Sequence, residues 1–234
     1  MRILVSGCSF TVGWPEPRAN WPSRIDRRNT VKNLARAGAG NRYIGQSIVL
    51  DILQNRDHYD MVLVMWSGLQ RIDTMVNDFV YDSLDTNHGS VDGLYCYGFF
   101  GDAYSHRHDP SVLKSASKEM FKIGNEETLG CASLIEMIAL QDFLKARSIP
   151  YRFMSYVNYW GDDEQVTNLN FGVHKYLSCS QLAKHIDLDC FLFYNDSRDG
   201  FYEFAQENSM ISEDGFHPTL QAHIEWADFI REKL

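Results

Sequence analysis

Two short motifs near opposite ends of the chain carry residue types that could do chemistry together. Close to the start stands GCSFT, residues 7–11, with Ser9 in a small-residue turn after an apolar run. Close to the end stands SEDGFHPTLQAH, 212–223, with Asp214 and His217 on one short stretch. A serine hydroxyl is a weak nucleophile unaided and needs a neighbouring base. An imidazole can take its proton, and a carboxylate can fix the imidazole tautomer and stabilise the imidazolium. A carboxylate and an imidazole on one tight turn can face the same cleft. The expectation is therefore that His217 acts as base toward Ser9 and that Asp214 orients His217. The plainer alternatives are that Ser9 only makes a turn, that Asp214 caps the last helix, and that His217 lies on the surface.

These residues need elements to position them. Residues 2–6 (RILVS) read as a buried strand, and 30–35 (TVKNLA) as a second, ending in the Gly-rich turn ARAGAGN. From Asn41 onward Ile44, Ile48 and Ile52 recur every four residues, with Val49 and Leu53 beside them, which predicts a helix. MVLVMW, 61–66, reads as a strand buried on both faces. Asn125 caps a predicted helix over 126–147, with Leu134, Met137, Leu140 and Leu144 as its buried stripe. YRFMSYV, 151–157, is a fourth predicted strand, and DCFLFY, 189–194, a fifth, with a helix near 173–186 between them. Pro218 opens a last helix on which Leu220, Ala227, Ile230 and Leu234 share a face. The alternation of strands and helices argues for a mostly parallel sheet covered on both faces. Such sheets bind ligands beyond the carboxyl ends of their strands, so a site is expected on the loops after the first three strands. Residues 67–125 lack a period and are read as a lid-like insertion with short elements of its own. With no repeat and no interdomain linker, 1–234 reads as a single domain.

Composition narrows the function classes. An apolar fraction of 44% over 234 residues supports a sizeable core and argues against disorder. The net charge of −9 makes bare nucleic acid an unsuitable partner, because phosphate binding wants a basic face. No stretch approaches the roughly 20 apolar residues of a membrane span, and polar residues arrive by Ser6, too early for a signal-peptide core. The chain reads as cytoplasmic, and a virus-encoded protein would look the same. Five cysteines without a CxxC pair fit reduced thiols, and Cys8 beside Ser9 reads as a buried thiol. HRHD, 106–109, reads as solvated loop rather than a metal patch. Tyr95, Tyr97, Phe99, Phe100 and Tyr104 read as a small core within the insertion, and Trp14 and Trp21 as packing residues.

With these residues placed, the chain resembles the SGNH (GDSL-like) hydrolase family. Four blocks carry the resemblance in the family's order: GCSFT at 7–11, NLARAGAGN at 33–41, WSGLQR at 66–71 and DGFH at 214–217. The resemblance implies a three-layer α/β/α sandwich of flavodoxin-like type, here with five strands. It implies Ser9 as nucleophile, Asp214 as orienting acid and His217 as base. It further implies an oxyanion hole made by the Ser9 N–H, a glycine N–H of the second block and a side-chain amide of the third. Gly38 is the best match for the glycine; Gly40 is the near alternative, since the turn can be registered two ways. Asn41 starts the helix and counts with Gly40 among the pocket-lining residues. The third block departs from the family's G-x-N-D: Gly68 matches glycine, Gln70 falls on asparagine and Arg71 on aspartate. Gln70 still offers an amide NH2, and the Arg71 fork suits a carboxylate or phosphate of a substrate. The implied activity is that of a serine esterase, with an O-acetyl group on a carbohydrate as one substrate form and no metal or organic cofactor needed. Acyl transfer by the same machinery, and a catalytically degenerate module that binds a glycan or a protein, are the alternatives.

Overall fold

The apolar runs of the amino-terminal half find each other in one parallel sheet. The computed structural model describes residues 1–13, 20–25, 30–55, 58–74, 97–99, 125–161 and 172–234. In chain order the strands are β1 (Arg2–Ser6), β2 (Thr30–Asn33), β3 (Met61–Trp66), β4 (Ile72–Thr74), β5 (Tyr97–Phe99) and β6 (Tyr151–Ser155). The main sheet has the order β2-β1-β3-β6, all parallel, with Ile3 beside Val31 on one side and Met61 on the other, and Trp66 beside Ser155. β1 and β3 lie in the middle, so both of their faces are covered. This is why RILVS and MVLVMW read as nearly continuous apolar runs rather than alternating ones. β4 and β5 form a separate antiparallel pair.

The helices are α1 (Ser9–Val12), α2 (Asn41–Gln54), α3 (Glu126–Ala146), α4 (Leu177–Ala183), α5 (Phe201–Glu207) and α6 (Leu220–Lys233). They flank the sheet: α2, α3 and α4 pack side by side, and α6 packs on α5 and on the single turn Pro22–Arg24. The Asn125 side chain accepts the Thr128 N–H at 2.8 Å, the cap expected at the start of α3. Leu134, Met137, Leu140 and Leu144 are all buried. Among the described residues no helix is long and apolar enough to cross a membrane.

The structure corrects the sequence reading in three places. Among the described residues the main sheet has four strands, not the five expected. Residues 188–190 form a 3-10 turn, and the expected fifth strand touches the sheet only through one bridge, Phe153 to Phe191, where the Leu192 N–H donates to the Phe153 carbonyl at 2.8 Å. The chain then bends, with the Tyr194 N–H donating to the Asp199 carbonyl, so the apolar run supplies side chains to the core without extending the ladder. The last helix begins after Thr219, whose side chain caps it, and not at Pro218. Its buried face is Ala222, His223, Trp226, Ala227 and Ile230, while Leu220 and Leu234 at its ends are exposed. Most of the 67–125 segment, with HRHD, Tyr95, Phe100 and Tyr104, lies outside the described residues, as does Trp14; Tyr97 and Phe99 lie on β5. Trp21 is fully buried.

Candidate active site

The serine turn is built by close packing at the carboxyl end of β1. Cys8 is extended, Ser9 opens the four-residue α1, and the N–H groups of Thr11 and Val12 both donate to the Cys8 carbonyl. Gly7 permits this: a Cβ there would lie 2.1 Å from Thr11 Oγ1 and 3.1 Å from the Met65 carbonyl oxygen. Gly13 ends α1 at φ 84°, a left-handed conformation that suits glycine. Ser9 is thereby fixed on a short helix with only 1% of its surface exposed.

The carboxyl-terminal motif is a closed hairpin. The Ser212 N–H donates to the His217 carbonyl at 2.7 Å, the Thr219 N–H donates to the Met210 carbonyl at 2.8 Å, and Gly215 takes φ 73° between them. Asp214 therefore turns back on its own loop. Its Oδ1 accepts from Ser212 Oγ (2.7 Å), the Phe216 N–H (2.9 Å) and the His217 N–H (2.8 Å). Its Oδ2 lies 2.6 Å from His217 Nδ1. On the far side of the ring, His217 Nε2 lies 3.0 Å from Ser9 Oγ. The two ends of the chain thus meet in one hydrogen-bonded row.

The protonation pattern follows from the surroundings. Burial pushes the Asp214 carboxyl up, but the hydrogen bonds from His217, Ser212 and Phe216 outweigh it and hold the group well below the usual carboxylate range. An ionised carboxylate can only accept, so Nδ1 carries the imidazole proton and the Nε2 lone pair faces the Ser9 hydroxyl. His217 sits against the rings of Phe10 and Phe216, with centroids 5.4 and 5.0 Å away. Burial lowers its pKa, the Asp214 hydrogen bond and charge raise it, and the Arg71 charge lowers it, with a net downward shift. The imidazole is neutral at neutral pH and able to take a proton.

Solved structures with this architecture include an esterase and members of the G-D-S-L lipolytic family. The chain is similar to the psychrotrophic esterase EstA of a Pseudoalteromonas species, described in a form inhibited by monoethylphosphonate, at 12% identity and a TM-score of 0.52, over 99% of this chain and 94% of that one. It is similar to a member of the G-D-S-L lipolytic family from Veillonella parvula at 14% identity and a TM-score of 0.50, over 99% and 97% of the two chains. A G-D-S-L family protein from Desulfitobacterium hafniense aligns over 100% and 99% at 11% identity and a TM-score of 0.50. The fold is that of the SGNH hydrolases. No family model and no curated protein matches the chain.

The remaining expected residues lie on the next two loops of this SGNH-type sheet. The second block is tied to the serine turn, since the Arg36 N–H donates to the Gly7 carbonyl at 3.1 Å. Gly38 lies in the following turn at φ 82°, a conformation that favours glycine. Gly40 is different: its N–H donates to Asp73 Oδ1 at 2.7 Å. Asn41 is buried and faces the third block, accepting the Ser67 N–H at 2.7 Å and donating to the carbonyls of Ser67 and Gly68. It staples two loops together. The Gln70 amide lies beside Gly68, where an added Cβ would stand 3.3 Å from Gln70 Oε1 and 3.5 Å from the Tyr156 hydroxyl. Arg71 is buried, donates from Nη1 to the Ala39 carbonyl at 3.1 Å and lies over the Tyr156 ring. Sequence reasoning passed over Asp73, Ser212, Phe10 and Tyr156. Ser212 carried a signal, a hydroxyl two residues before Asp214. Asp73 carried none, because its partners Gly40 and Tyr43 are 33 and 30 positions away.

Proposed function

We propose that the protein is a serine hydrolase acting on esters. The observation that supports this best is the row from Asp214 through His217 to Ser9, joined at 2.6 and 3.0 Å across 208 positions of sequence. In this reading Ser9 Oγ attacks the acyl carbon while its proton passes to His217 Nε2. Asp214 steadies the imidazolium so formed. The carbonyl oxygen, now an oxyanion, is met by the Ser9 and Gly38 N–H groups and by the Gln70 amide, donors that act best where charge develops in a water-poor site. His217 returns the proton to the departing alcohol. A water then cleaves the acyl-serine by the same route, and the enzyme is restored. Arg71, bonded to Ala39, serves the shape of the pocket in this scheme. The burial of Ser9 fits a short acyl group such as acetyl, and an O-acetylated carbohydrate is the substrate form that the sequence resemblance suggests.

The test is direct. Wild-type protein is expected to release p-nitrophenol from p-nitrophenyl acetate and to be labelled by a fluorophosphonate probe. Ser9→Ala should abolish labelling and lower kcat by about 10⁵–10⁶-fold. Labelling without hydrolysis would point to transfer of the acyl group to an acceptor other than water. Absence of both in folded wild-type protein would sink the hydrolase reading.

A further inference from the structure

One peptide group of the Gly-rich second block is gripped from both sides by a pair of charged residues to which neither the motif nor the proton row assigns this role. The Ala39 carbonyl accepts from Arg71 Nη1 at 3.1 Å. The Gly40 N–H, the other end of the same peptide unit, donates to Asp73 Oδ1 at 2.7 Å. Asp73 Oδ2 accepts the Tyr43 N–H at 2.7 Å, so one carboxylate also satisfies the first turn of α2. Arg71 and Asp73 are both buried. Hydrogen bonds from N–H to a carboxylate at this length belong to the stronger class. The fit is tight: a Cβ on Gly40 would lie 2.8 and 2.9 Å from the two carboxylate oxygens of Asp73. Gly40 itself has φ −93°, which any residue can adopt, so the carboxylate rather than backbone conformation demands glycine here.

The geometry points to Asp73, with Arg71, as a positioning residue of the reaction: by fixing the Ala39–Gly40 peptide it sets the direction of the Gly38 turn, which Arg36 ties to the serine turn. Arg36 anchors that turn at its front through the Gly7 carbonyl. Asp73 anchors it at its back. Between the two anchors lie Ala37 and Gly38, in a turn closed by the Ala39 N–H donating to the Arg36 carbonyl at 3.1 Å, so a displacement of the Ala39–Gly40 peptide passes through that bond to the Gly38 N–H, the donor assigned in the proposed reaction. Donors of this kind act through orientation, so a small error is costly.

The inference rests on the ester-hydrolase reading for its kinetic arm only. The double-mutant cycle of Gly40→Ala and Asp73→Ala tests it. Asp73→Ala is expected to lower kcat on p-nitrophenyl acetate by about 10²-fold with KM changed by less than about threefold, since transition-state rather than uniform binding is lost. Gly40→Ala should lose kcat similarly by expelling the carboxylate. The double variant should be no slower than the worse single, because one contact is being broken twice. Multiplying losses, or an Asp73→Ala enzyme within about threefold of wild type in kcat, would overturn the proposal. Should Asp73→Ala not fold, Asp73→Asn carries the same comparison, since one of the two accepting oxygens becomes an NH2 that cannot accept an N–H. A second arm needs no turnover. In ¹⁵N-glycine-labelled protein, the Gly40 amide signal, identified by its absence in Gly40→Ala, should lie downfield and move upfield in Asp73→Asn, with Gly38 moving too. A Gly38 signal unmoved by Asp73→Asn overturns the positioning role. An inactive wild type with this pattern intact would sink the hydrolase reading and leave the grip standing.

Discussion

At the scale of single residues, the environment of His217 decides when the site can work. The imidazole must be neutral to take a proton, and burial against Phe10 and Phe216 favours the neutral form. Its pKa is lowered from the ordinary 6.5, by burial first and by the Arg71 charge, against the raising effect of Asp214. The sign follows: activity rises with pH through a midpoint below 6.5. A profile of kcat/KM between about pH 4 and 8 reads His217 together with Asp73, whose carboxyl burial raises to about 6, and both lie below 6.5. Arg71→Met removes a cation that opposes protonation, so its midpoint should move up, whatever the variant loses in amplitude. A midpoint above 6.5 in wild type, or a downward move in the variant, contradicts this account. Ser9, Asp214 and His217 were legible because a D-x-x-H turn and a serine turn are local patterns that gain weight from the two further blocks standing between them in order. Asp73 was not legible, because a carboxylate that caps a helix from 30 positions away leaves no mark in its own neighbourhood.

At the scale of elements, local patterns told type better than pairing. β1, β3 and α3 were legible because each buries a stripe or a run that its own sequence displays. The 189–194 run was not, because an apolar stretch does not record whether a neighbour offers it a ladder, and here a 3-10 turn and the Tyr194 to Asp199 bond take it away. The loop after β6 shows how such a region is held. Glu203 Oε1 accepts the Asn158 N–H and Oε2 the Gly200 N–H, each at 3.0 Å, while Asn158 Oδ1 accepts from Trp160 and Gly161. α5 is thereby pressed against the end of β6. A Cβ on Gly200 would stand 2.4 Å from the Ser155 carbonyl oxygen and 2.9 Å from the Tyr156 and Val157 backbone. Backbone cannot step aside as a side chain can. Gly200→Ala is therefore expected to cost about 1–3 kcal/mol in denaturant unfolding, the range of overpacking. Gly215→Ala, where nothing lies within 4 Å but φ is 73°, should lose stability through conformation alone. An unchanged Gly200→Ala midpoint would show that α5 is free to move off β6.

At the scale of the whole molecule, buried titratable groups couple stability to pH, with opposite signs. Burial raises Asp73 to about 6 and Glu203 to about 7 despite the backbone N–H groups that each accepts. Their contribution is full at low pH and is lost as pH rises through those values. His223 acts the other way. It is buried on α6, edge-on to Phe201 at 5.0 Å, and its pKa falls to about 3, by burial first and then by the Arg24 and His217 charges. Between 6.5 and about 3 the unfolded chain binds a proton that the folded chain refuses, so stability is lost as pH falls through that window. At 1.36 kcal/mol per unit the full shift is worth about 5 kcal/mol, of which about 3 is felt by pH 4. His223→Leu removes the titration and changes packing by an offset that does not depend on pH. The difference in unfolding free energy between variant and wild type should therefore grow in the variant's favour by about 3 kcal/mol from pH 7 to pH 4, measured by urea titration at each pH. The carboxylates are common to both proteins and cancel in that difference. A difference that stays flat across the range would mean that His223 takes up its proton inside the fold, and that α6 is not the source of acid sensitivity.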